Sequence, residues 1–580
     1  MKTHFKKFAP SKSSKRGASG LRVQALLKSA VEMHQSGDLD QALAHYTAVL
    51  SEEPKNFEAL HLSGLIAYQK KNPERGARLM REALKINPNS LACMVNLGLA
   101  EHALGNFERA IEKYSAALSV QNLLASAFYN RANAYKEQCK WELALYDYQR
   151  ALLINPAYWE AYLNLGLVLE QFANWGGALI SLKRVIAINP FCMKAYNNRG
   201  NIYKKTEQWI PALSDYDMCL KFDQRYVDAY INKANLLKDL GYYEQASLLY
   251  TQALSLEPDN AKVLWNKSLL SLLQENFEEG WKNYEKRWSP ENTAQLNPYL
   301  SKMPEITAHL QWRGEQTLRG KKLLIYAEQG LGDSIQFVRF VPFLAELGAT
   351  VYLAVQAPLF ELFKCIQGVH QLLVLGHALP EIDLACPLMS LPLALGLTSA
   401  EQFESEPYLE AQELRVLNWL NGLPPQRPRV GVSWRGSKYH AGDKHRSIAL
   451  TRFKDCLSPV ANYVSLQKDV TQDEAILLRD EVGALDVAHA LKDFSDTAAL
   501  CRTLDLVICV DTSVAHLAAA LGLEVWLLTP FSPDWRWTAQ GERSKWYKNL
   551  KLYRQNNWGQ WDAPLDKVRL DLVDKFKKVV

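Results

Sequence analysis

The sequence has no apolar run long enough to form a membrane-spanning helix, and the segment Met1–Gly20 holds no apolar core of signal-peptide length. It also has no C-x-x-C pair, and its nine cysteines are scattered singly between Cys93 and Cys509. These absences argue against a membrane span, a disulfide scaffold and a cysteine zinc site. We therefore expect a cytoplasmic protein with reduced thiols.

Acidic residues are missing from the segment Met1–Val31, which carries eight Lys and Arg. The net charge of +5 therefore belongs to this end, and the rest of the chain sums to −3. A basic segment without an apolar pattern predicts a disordered tail over residues 1–20. Contact of the tail with nucleic acid or anionic lipid is the alternative, but we expect no nucleic-acid partner.

A repeating pattern organises the first half of the chain. Prolines recur at a spacing of about 34 residues or twice that, at Pro54, Pro88, Pro156, Pro190 and Pro258, and small residues and tyrosines keep the same period. Small residues where two helices cross and a proline at the end of each unit are typical of tetratricopeptide repeats. We predict an array over residues 21–292, with seven clear repeats and a degenerate eighth between Trp265 and Trp288.

One asparagine recurs in each repeat, on the predicted first helix of each pair. The row comprises Asn96, Asn130, Asn164, Asn198, Asn232 and Asn266. Carboxamides offer both donors and acceptors, which suits the backbone of an extended acceptor peptide. The row resembles the asparagine ladder of eukaryotic O-linked N-acetylglucosamine transferases, which holds acceptor protein. The alternative is that these side chains only tie neighbouring helices together.

After a predicted linker over residues 293–320, short apolar runs alternate with helical stretches. We predict strands at Lys322–Tyr326, Thr350–Val355, Val430–Ser433, Tyr463–Leu466, Leu506–Val510 and Glu524–Leu528. This alternation indicates parallel sheets covered by helices, and a proline-rich break near residue 424 divides the region into two similar halves. Ligands in such sheets bind beyond the carboxyl ends of the strands.

The first of these strands leads into a glycine loop, YAEQGLGDSIQF. Gly330 and Gly332 supply two glycines, but Ile335 stands where a dinucleotide site needs a third. The second strand also ends at Gln356 rather than at an acid for a ribose hydroxyl, and there is no Walker lysine. The loop therefore does not predict hydride transfer or a P-loop.

Two segments together, GLGDSIQFVRF and DLVICVDTSVAHLAAALG, resemble the ADP-heptose:lipopolysaccharide heptosyltransferase type of GT-B glycosyltransferase. Over residues 21–575 the order of parts is similar to bacterial tetratricopeptide-containing glycosyltransferases, some of which modify flagellin. The resemblance implies an α superhelix followed by an α/β GT-B fold of two Rossmann-like domains, an acceptor-side domain at 321–424 and a donor domain at 425–580. It also implies an inverting transferase that needs no metal and no cofactor beyond its nucleotide-sugar substrate.

The resemblance makes Asp333 the candidate general base, with Gly330 and Gly332 leaving room for the donor. A carboxylate that takes the proton of an acceptor hydroxyl is typically worth about 10²–10⁴-fold in rate. The alternative role of Asp333 is to cap the helix that follows, since aspartate is favoured at helix starts.

The donor phosphate needs stabilisation, and the stretch VDTSVAH predicts one source of it. A helix follows Asp511, Thr512 and Ser513 directly, so its free amide groups and its dipole face an anion, and His516 lies one turn on. The family usually has glycine where Ser513 stands. As an alternative, His516 is a core histidine with satisfied hydrogen bonds.

A second source of positive charge is the loop SWRGSKYHAGDKHRSI. It matches the family loop whose basic residues reach donor phosphate, and we select Arg435 and Lys444, with Arg446 behind them. A solvated charge cluster is the alternative. Further along, Trp535 and Trp537 either stack on a nucleobase or pack an interface between domains.

These observations favour a transferase that moves a sugar from a nucleotide donor to Ser or Thr hydroxyls of a protein presented by the repeats. The resemblance makes flagellin the expected acceptor and a CMP-activated nonulosonic acid the expected donor. Two alternatives stay open: a transferase that acts on a glycan or lipopolysaccharide-type acceptor, and an inactive repeat scaffold.

Overall fold

The computed structural model describes residues 18–293, 310–403, 406–423, 425, 428–437 and 442–577. Most of the predicted tail (1–17), most of the predicted linker (294–309) and Lys438 of the basic loop lie outside these ranges. Within them, no helix is both long enough and apolar enough to cross a membrane. The chain divides into two compact units, Met1–Tyr226 and Val227–Val580.

Helix pairs fill the described part of the first unit. Their bounds are α1 Ala18–Ser36, α2 Leu39–Glu52, α3 Phe57–Gln69, α4 Pro73–Ile86, α5 Leu91–Ala103, α6 Phe107–Val120, α7 Ala125–Glu137, α8 Trp141–Ile154, α9 Trp159–Gln171, α10 Trp175–Ile188, α11 Met193–Lys205 and α12 Trp209–Phe222. The recurring prolines lie in the turns between helix pairs, because proline cannot continue the helix that precedes it.

Small residues let the two helices of a pair approach, as the repeat pattern predicts. A Cβ on Gly98 would lie 2.4 Å from the ring of Tyr114, and one on Gly200 would lie 2.7 Å from the ring of Tyr216. The tyrosines of this series are fully buried. The hydroxyl of Tyr148 donates to Asn133 at 2.6 Å, whereas no partner for the hydroxyl of Tyr114 exists among the described residues.

The second unit begins with two more helix pairs and continues with shorter helices between strands. Their bounds are α13 Val227–Asp239, α14 Tyr243–Leu256, α15 Ala261–Leu273, α16 Phe277–Tyr284, α17 Pro290–Thr293, α18 Leu331–Phe337, α19 Val341–Glu346, α20 Leu391–Ala394, α21 Glu413–Gly422, α22 Asp443–Arg446, α23 Leu450–Phe453, α24 Gln472–Leu477, α25 Phe494–Cys501, α26 Ser513–Ala520 and α27 Asp562–Phe576. The predicted degenerate repeat is present as an eighth pair, α15 and α16, whose second helix has only 8 residues.

Two parallel sheets form the rest of the second unit. Their strands are β1 Lys322–Tyr326, β2 Thr350–Val355, β3 Val369–Val374, β4 Leu384–Pro387, β5 Arg429–Ser433, β6 Asn462–Ser465, β7 Leu485–Asp486, β8 Leu506–Val510, β9 Val525–Thr529 and β10 Leu550–Arg554. The orders are β3-β2-β1-β4 and β10-β9-β8-β5-β6-β7. The predicted succession of a tetratricopeptide array and an α/β region with parallel sheets is confirmed.

The eighth helix pair belongs to the core of the α/β region. Trp281 of α16 is 2% exposed and makes edge contacts with Phe337, Phe403 and Trp535. Phe403 stacks in turn on Trp546 with ring centroids 4.5 Å apart. Since large aromatic side chains contribute much of the apolar area in a core, the last repeat and both sheets share one hydrophobic cluster.

Candidate functional site

The glycine loop joins the carboxyl end of β1 to α18. One carboxylate oxygen of Asp333, Oδ2, accepts a hydrogen bond from the backbone N–H of Gly330 at 2.7 Å. This bond closes the first turn of α18, so the capping interaction considered from the sequence is present. The second oxygen, Oδ1, points to another partner.

That partner is Arg536, which lies beyond β9 in the turn Trp535–Trp537. Its guanidinium donates to Asp333 Oδ1, to Asp534 Oδ1 at 2.7 Å and, through Nε, to Gln336 Oε1 at 2.9 Å. Arg536 is 7% exposed and lies over the ring of Trp535, with its central carbon 4.2 Å from the ring centroid. The sequence gives no sign of this contact, because nothing in the motif WRW indicates which acids surround it.

The DTSVAH segment connects β8 to α26, as predicted. Ser513 is the first residue of α26, and Thr512 stands at its cap position without a capping hydrogen bond. The Thr512 hydroxyl oxygen is buried and has no partner in the described part of the chain. A buried donor without a partner is costly, so this hydroxyl is a group that a ligand or a water would satisfy.

The glycine loop and the start of α26 lie directly against each other. A Cβ on Gly332 would be 3.0 Å from His516 Cδ2 and 3.4 Å from the Cα of Ser513. Only the missing side chain of Gly332 allows this approach. The two motifs, which are distant in the sequence, therefore meet just after the carboxyl ends of β1 and β8.

His516 is enclosed on several sides. It is 4% exposed, its Nδ1 lies 3.1 Å from the hydroxyl of Tyr547, and its ring stacks on Trp537 with centroids 5.1 Å apart. Burial, with Arg536 and Arg339 nearby, lowers the pKa of His516 to about 3. With this pKa the imidazole is neutral at pH 7.

Asp511 lies at the carboxyl end of β8 among other charged groups. Burial and the carboxylate of Asp534 raise the pKa of Asp511 to about 6, although Arg446 and Arg536 oppose the shift. The pKa of Asp534 is lowered instead, because Arg536 outweighs the effect of its partial burial. Of the two neighbouring acids, Asp511 therefore takes up a proton first as the pH falls.

The three basic residues selected in the loop after β5 differ in their surroundings. Arg435 is bound to Glu474 through Nε and a second nitrogen at 3.1 and 2.9 Å, and to Asp469 at 2.8 Å. Lys444 is exposed. Arg446 is the one whose charge influences both Asp511 and His516. Arg446 also pairs with an acid, since its Nε donates to Asp443 Oδ1 at 3.3 Å.

Most of the asparagine row makes contacts within the repeats. Asn96 bonds to His61 at 3.0 Å, Asn164 donates to Asn133 at 2.9 Å, and Asn266 donates to the carbonyl of Lys262 in its own helix. The first two bonds join neighbouring helices, as the alternative role supposes. Asn130 and Asn198 have no side-chain hydrogen-bond partner among the described residues, and Asn232 has contacts of its own.

Known proteins match the chain in part. Tetratricopeptide-repeat family models match residues 35–90, 98–138, 125–158 and 227–260. Protein FlbA of Caulobacter vibrioides is 28% identical over 368 residues, which is 58% of this chain and 59% of FlbA. A second relative is the Arabidopsis thaliana protein named "Probable UDP-N-acetylglucosamine--peptide N-acetylglucosaminyltransferase SEC", 33% identical over 94 residues, 16% of this chain and 10% of that protein.

The chain spans less than two thirds of the length of either relative. Among solved structures, the crystal structure of YrrB, described as a TPR protein with an unusual peptide-binding site, covers 33% of this chain and 100% of its own, with 23% identity and a TM-score of 0.29. The chain therefore matches tetratricopeptide-repeat family models and, over 94 residues, a protein that carries the name of a peptide glycosyltransferase.

Proposed function

We propose that this tetratricopeptide-repeat chain transfers a sugar from a nucleotide-activated donor to Ser or Thr hydroxyls of a protein. The observation that supports the proposal most is the contact between the Asp333 loop and the start of α26, made possible by Gly332. It brings a carboxylate and a helix N-terminus to one place at the carboxyl ends of two parallel sheets, where ligands of such sheets bind.

In this mechanism Asp333 takes the proton of the acceptor hydroxyl as that oxygen attacks the anomeric carbon. The bond from this carbon to the nucleotide phosphate breaks, and the phosphate leaves with the electron pair. The free amides at the start of α26, the hydroxyls of Thr512 and Ser513, and Arg446 stabilise the charge that develops on the phosphate.

Arg536 gives the mechanism an order of events. In the described structure its guanidinium donates a hydrogen bond to Oδ1 of Asp333, the oxygen that would take the proton of the acceptor hydroxyl. An anionic phosphate competes for the same guanidinium, because arginine binds phosphate and carboxylate with similar geometry. Donor binding therefore draws Arg536 away and frees the carboxylate to act as a base.

The repeats would supply the acceptor. Asn130 and Asn198 carry carboxamides that the described part of the chain leaves unpaired, and the relative SEC is named for a peptide acceptor and a UDP-linked donor. The family resemblance suggests flagellin as acceptor and a CMP-activated nonulosonic acid as donor. A nucleotide screen decides between the UDP and CMP classes.

The first test is a thermal-shift and calorimetric screen of the full-length protein against UDP, GDP, ADP, CMP and dTDP. We expect one nucleotide to bind, and Ser513→Asp to abolish that binding because a carboxylate at the start of α26 repels phosphate. Ser51→Asp, on the exposed surface of α2, is the matched control and should bind as the wild type does. Failure of all five nucleotides to bind the wild type would favour the scaffold without activity.

A further inference from the structure

Arg287 lies in the short turn after α16, at the end of the eighth helix pair, and its side chain is 0% exposed. Its guanidinium binds both oxygens of the Glu328 carboxylate, through Nε at 3.1 Å and through a second nitrogen at 2.8 Å. Glu328 is 4% exposed and stands two residues before Gly330, where the chain leaves β1. A paired fork of this kind fixes orientation as well as distance.

The next residue of the loop is held by the same helix pair. The side-chain amide of Gln329 donates to the hydroxyl of Tyr284, the last residue of α16, at 3.0 Å. The backbone carbonyl of Gln329 accepts a hydrogen bond from the side-chain amide of Gln356, beyond β2, at 2.8 Å. The segment that leads into Gly330 and Asp333 is therefore held between the repeats and the neighbouring strand.

Glu328 has further partners on its other side. The backbone N–H of Met389, beyond β4, donates to Oε1 of Glu328 at 3.1 Å. The guanidinium of Arg287 also donates to the Ser390 hydroxyl and to the Glu285 carboxylate. Burial raises the pKa of Glu328, although Arg287 opposes the shift. Burying this charge is therefore costly, and an ion pair of this kind is better evidence for a fixed geometry than for added stability.

We propose that Arg287 is a positioning residue for the glycine loop, so that the eighth helix pair is a working part of the candidate site and not only a support for bound protein. Arg287 acts through Glu328 and sets the path of the backbone that carries Gly330, Gly332 and Asp333. The effect of Arg287 on catalysis rests on the proposed function, whereas its effect on the conformation of the glycine loop does not.

The test measures backbone hydrogen exchange in residues 326–337 of full-length variants. Arg287→Met leaves Glu328 buried without its cation, and this protein is expected to be less stable overall. The double variant Arg287→Met with Glu328→Gln removes the guanidinium and the buried carboxylate. Glu285 keeps its hydrogen bond from the Ser390 hydroxyl and is 16% exposed, so we expect this protein to fold. In the double variant we expect exchange of the hydrogen-bonded amides of Gly330 and Ser334 to rise at least tenfold, while the strand amides of β8 stay protected. Arg287→Lys keeps the charge without the fork, and its exchange should be intermediate.

The matched control is the double variant Arg131→Met with Asp147→Asn. Arg131 and Asp147 form the same forked ion pair, at 2.6 and 2.8 Å, between helices of the first unit. It should lower stability without changing exchange in residues 326–337. A folded Arg287→Met, Glu328→Gln variant with wild-type exchange in this segment would overturn the proposal.

Nucleotide affinity is a second measurement that tests the positioning role of Arg287. If the wild type binds a nucleotide, the Arg287 double variant should bind it at least tenfold more weakly, and the Arg131 variant equally well. Equal affinity in the Arg287 variant would contradict the positioning role. If no nucleotide binds the wild type, the proposed function fails while the exchange result still decides the role of Arg287.

Discussion

Arg536 and Asp333, 203 residues apart in the sequence, form an ion pair between the loop after β1 and the turn after β9. Asp333 is 20% exposed at its side chain and Arg536 8%, so the pair lies at the edge of the core. Arg536 also binds Gln336 of α18 and Asp534 of its own turn. The position of the candidate base is therefore set by residues from both sheets.

Replacing the candidate base tests the chemistry directly. Asp333→Asn keeps an oxygen that can accept the N–H of Gly330, so we expect the fold and nucleotide binding to persist. The amide cannot take a proton, and transfer to the acceptor should fall by about 10²–10⁴-fold. The readout is sugar transfer at saturating donor.

The control for this variant is another capping aspartate. Asp38 accepts the backbone N–H of Gln41 at the start of α2, so Asp38→Asn makes the same change in a cap without catalytic surroundings. It should transfer sugar at the wild-type rate. Unchanged transfer by Asp333→Asn would assign Asp333 to helix capping alone.

The close approach of the two motifs predicts the effect of a single methyl group. Gly332→Ala would place a Cβ 3.0 Å from His516, whose ring is held by Trp537 and Tyr547. We expect a loss of about 1–3 kcal/mol in the free energy of unfolding and weaker nucleotide binding. Urea unfolding and calorimetry measure the two effects.

Gly176→Ala, in α10, is the matched control, because nothing lies within 4 Å of the new Cβ. It should raise the free energy of unfolding by about 0.5–1 kcal/mol, since alanine is the better helix former. If Gly332→Ala raised the free energy of unfolding by the same amount, the glycine loop and α26 would have to separate easily.

The sequence predicts the interior of both sheets and misses their edges. The six predicted strands are the interior strands β1, β2, β5, β6, β8 and β9, each within one residue of its observed bounds. The missed strands β3, β4, β7 and β10 are all edges. An edge strand needs fewer apolar residues, and β4 is only four residues long and ends in Pro387.

For the site, local motifs predict the two segments that meet but not the groups that hold them. The glycine loop and DTSVAH carry recognisable residues in short windows. Arg536, Arg287 and Tyr547 act through contacts with distant parts of the chain, and a single arginine or tyrosine in a window gives no sign of such a partner. For the same reason, the acids Glu474 and Asp469 that bind Arg435 are invisible in the local motif.

The raised pKa of Asp511 predicts a dependence of stability on pH. The pKa of Asp511 is about 6 in the folded protein and 3.8 at its ordinary value. Its protonated form therefore stabilises the fold fully below about pH 3.8, and this stabilisation is lost as the pH rises through 6. Asp511→Asn removes the charge, so we expect the variant to be more stable than the wild type by about 1–3 kcal/mol at pH 7. By pH 4 this advantage should vanish. Urea unfolding of both proteins between pH 4 and 7 checks it, and a constant difference would contradict the assignment.

Two tyrosines of the repeats offer a matched pair for the value of a buried hydrogen bond. Tyr148 and Tyr114 occupy the same repeat position and are both 0% exposed. The hydroxyl of Tyr148 donates to Asn133, whereas Leu99 stands at the equivalent position before Tyr114, whose hydroxyl has no partner among the described residues.

Tyr148→Phe should therefore lower the free energy of unfolding by about 1–2 kcal/mol, because it leaves the oxygen of Asn133 with one donor fewer. Tyr114→Phe removes a hydroxyl that is buried without a partner, so its free energy of unfolding should stay equal or rise. Urea unfolding of the two variants measures the difference, with both monitored by helical circular dichroism. Equal losses in both would mean that the cost comes from repacking the ring, and that the bond to Asn133 contributes little to the array.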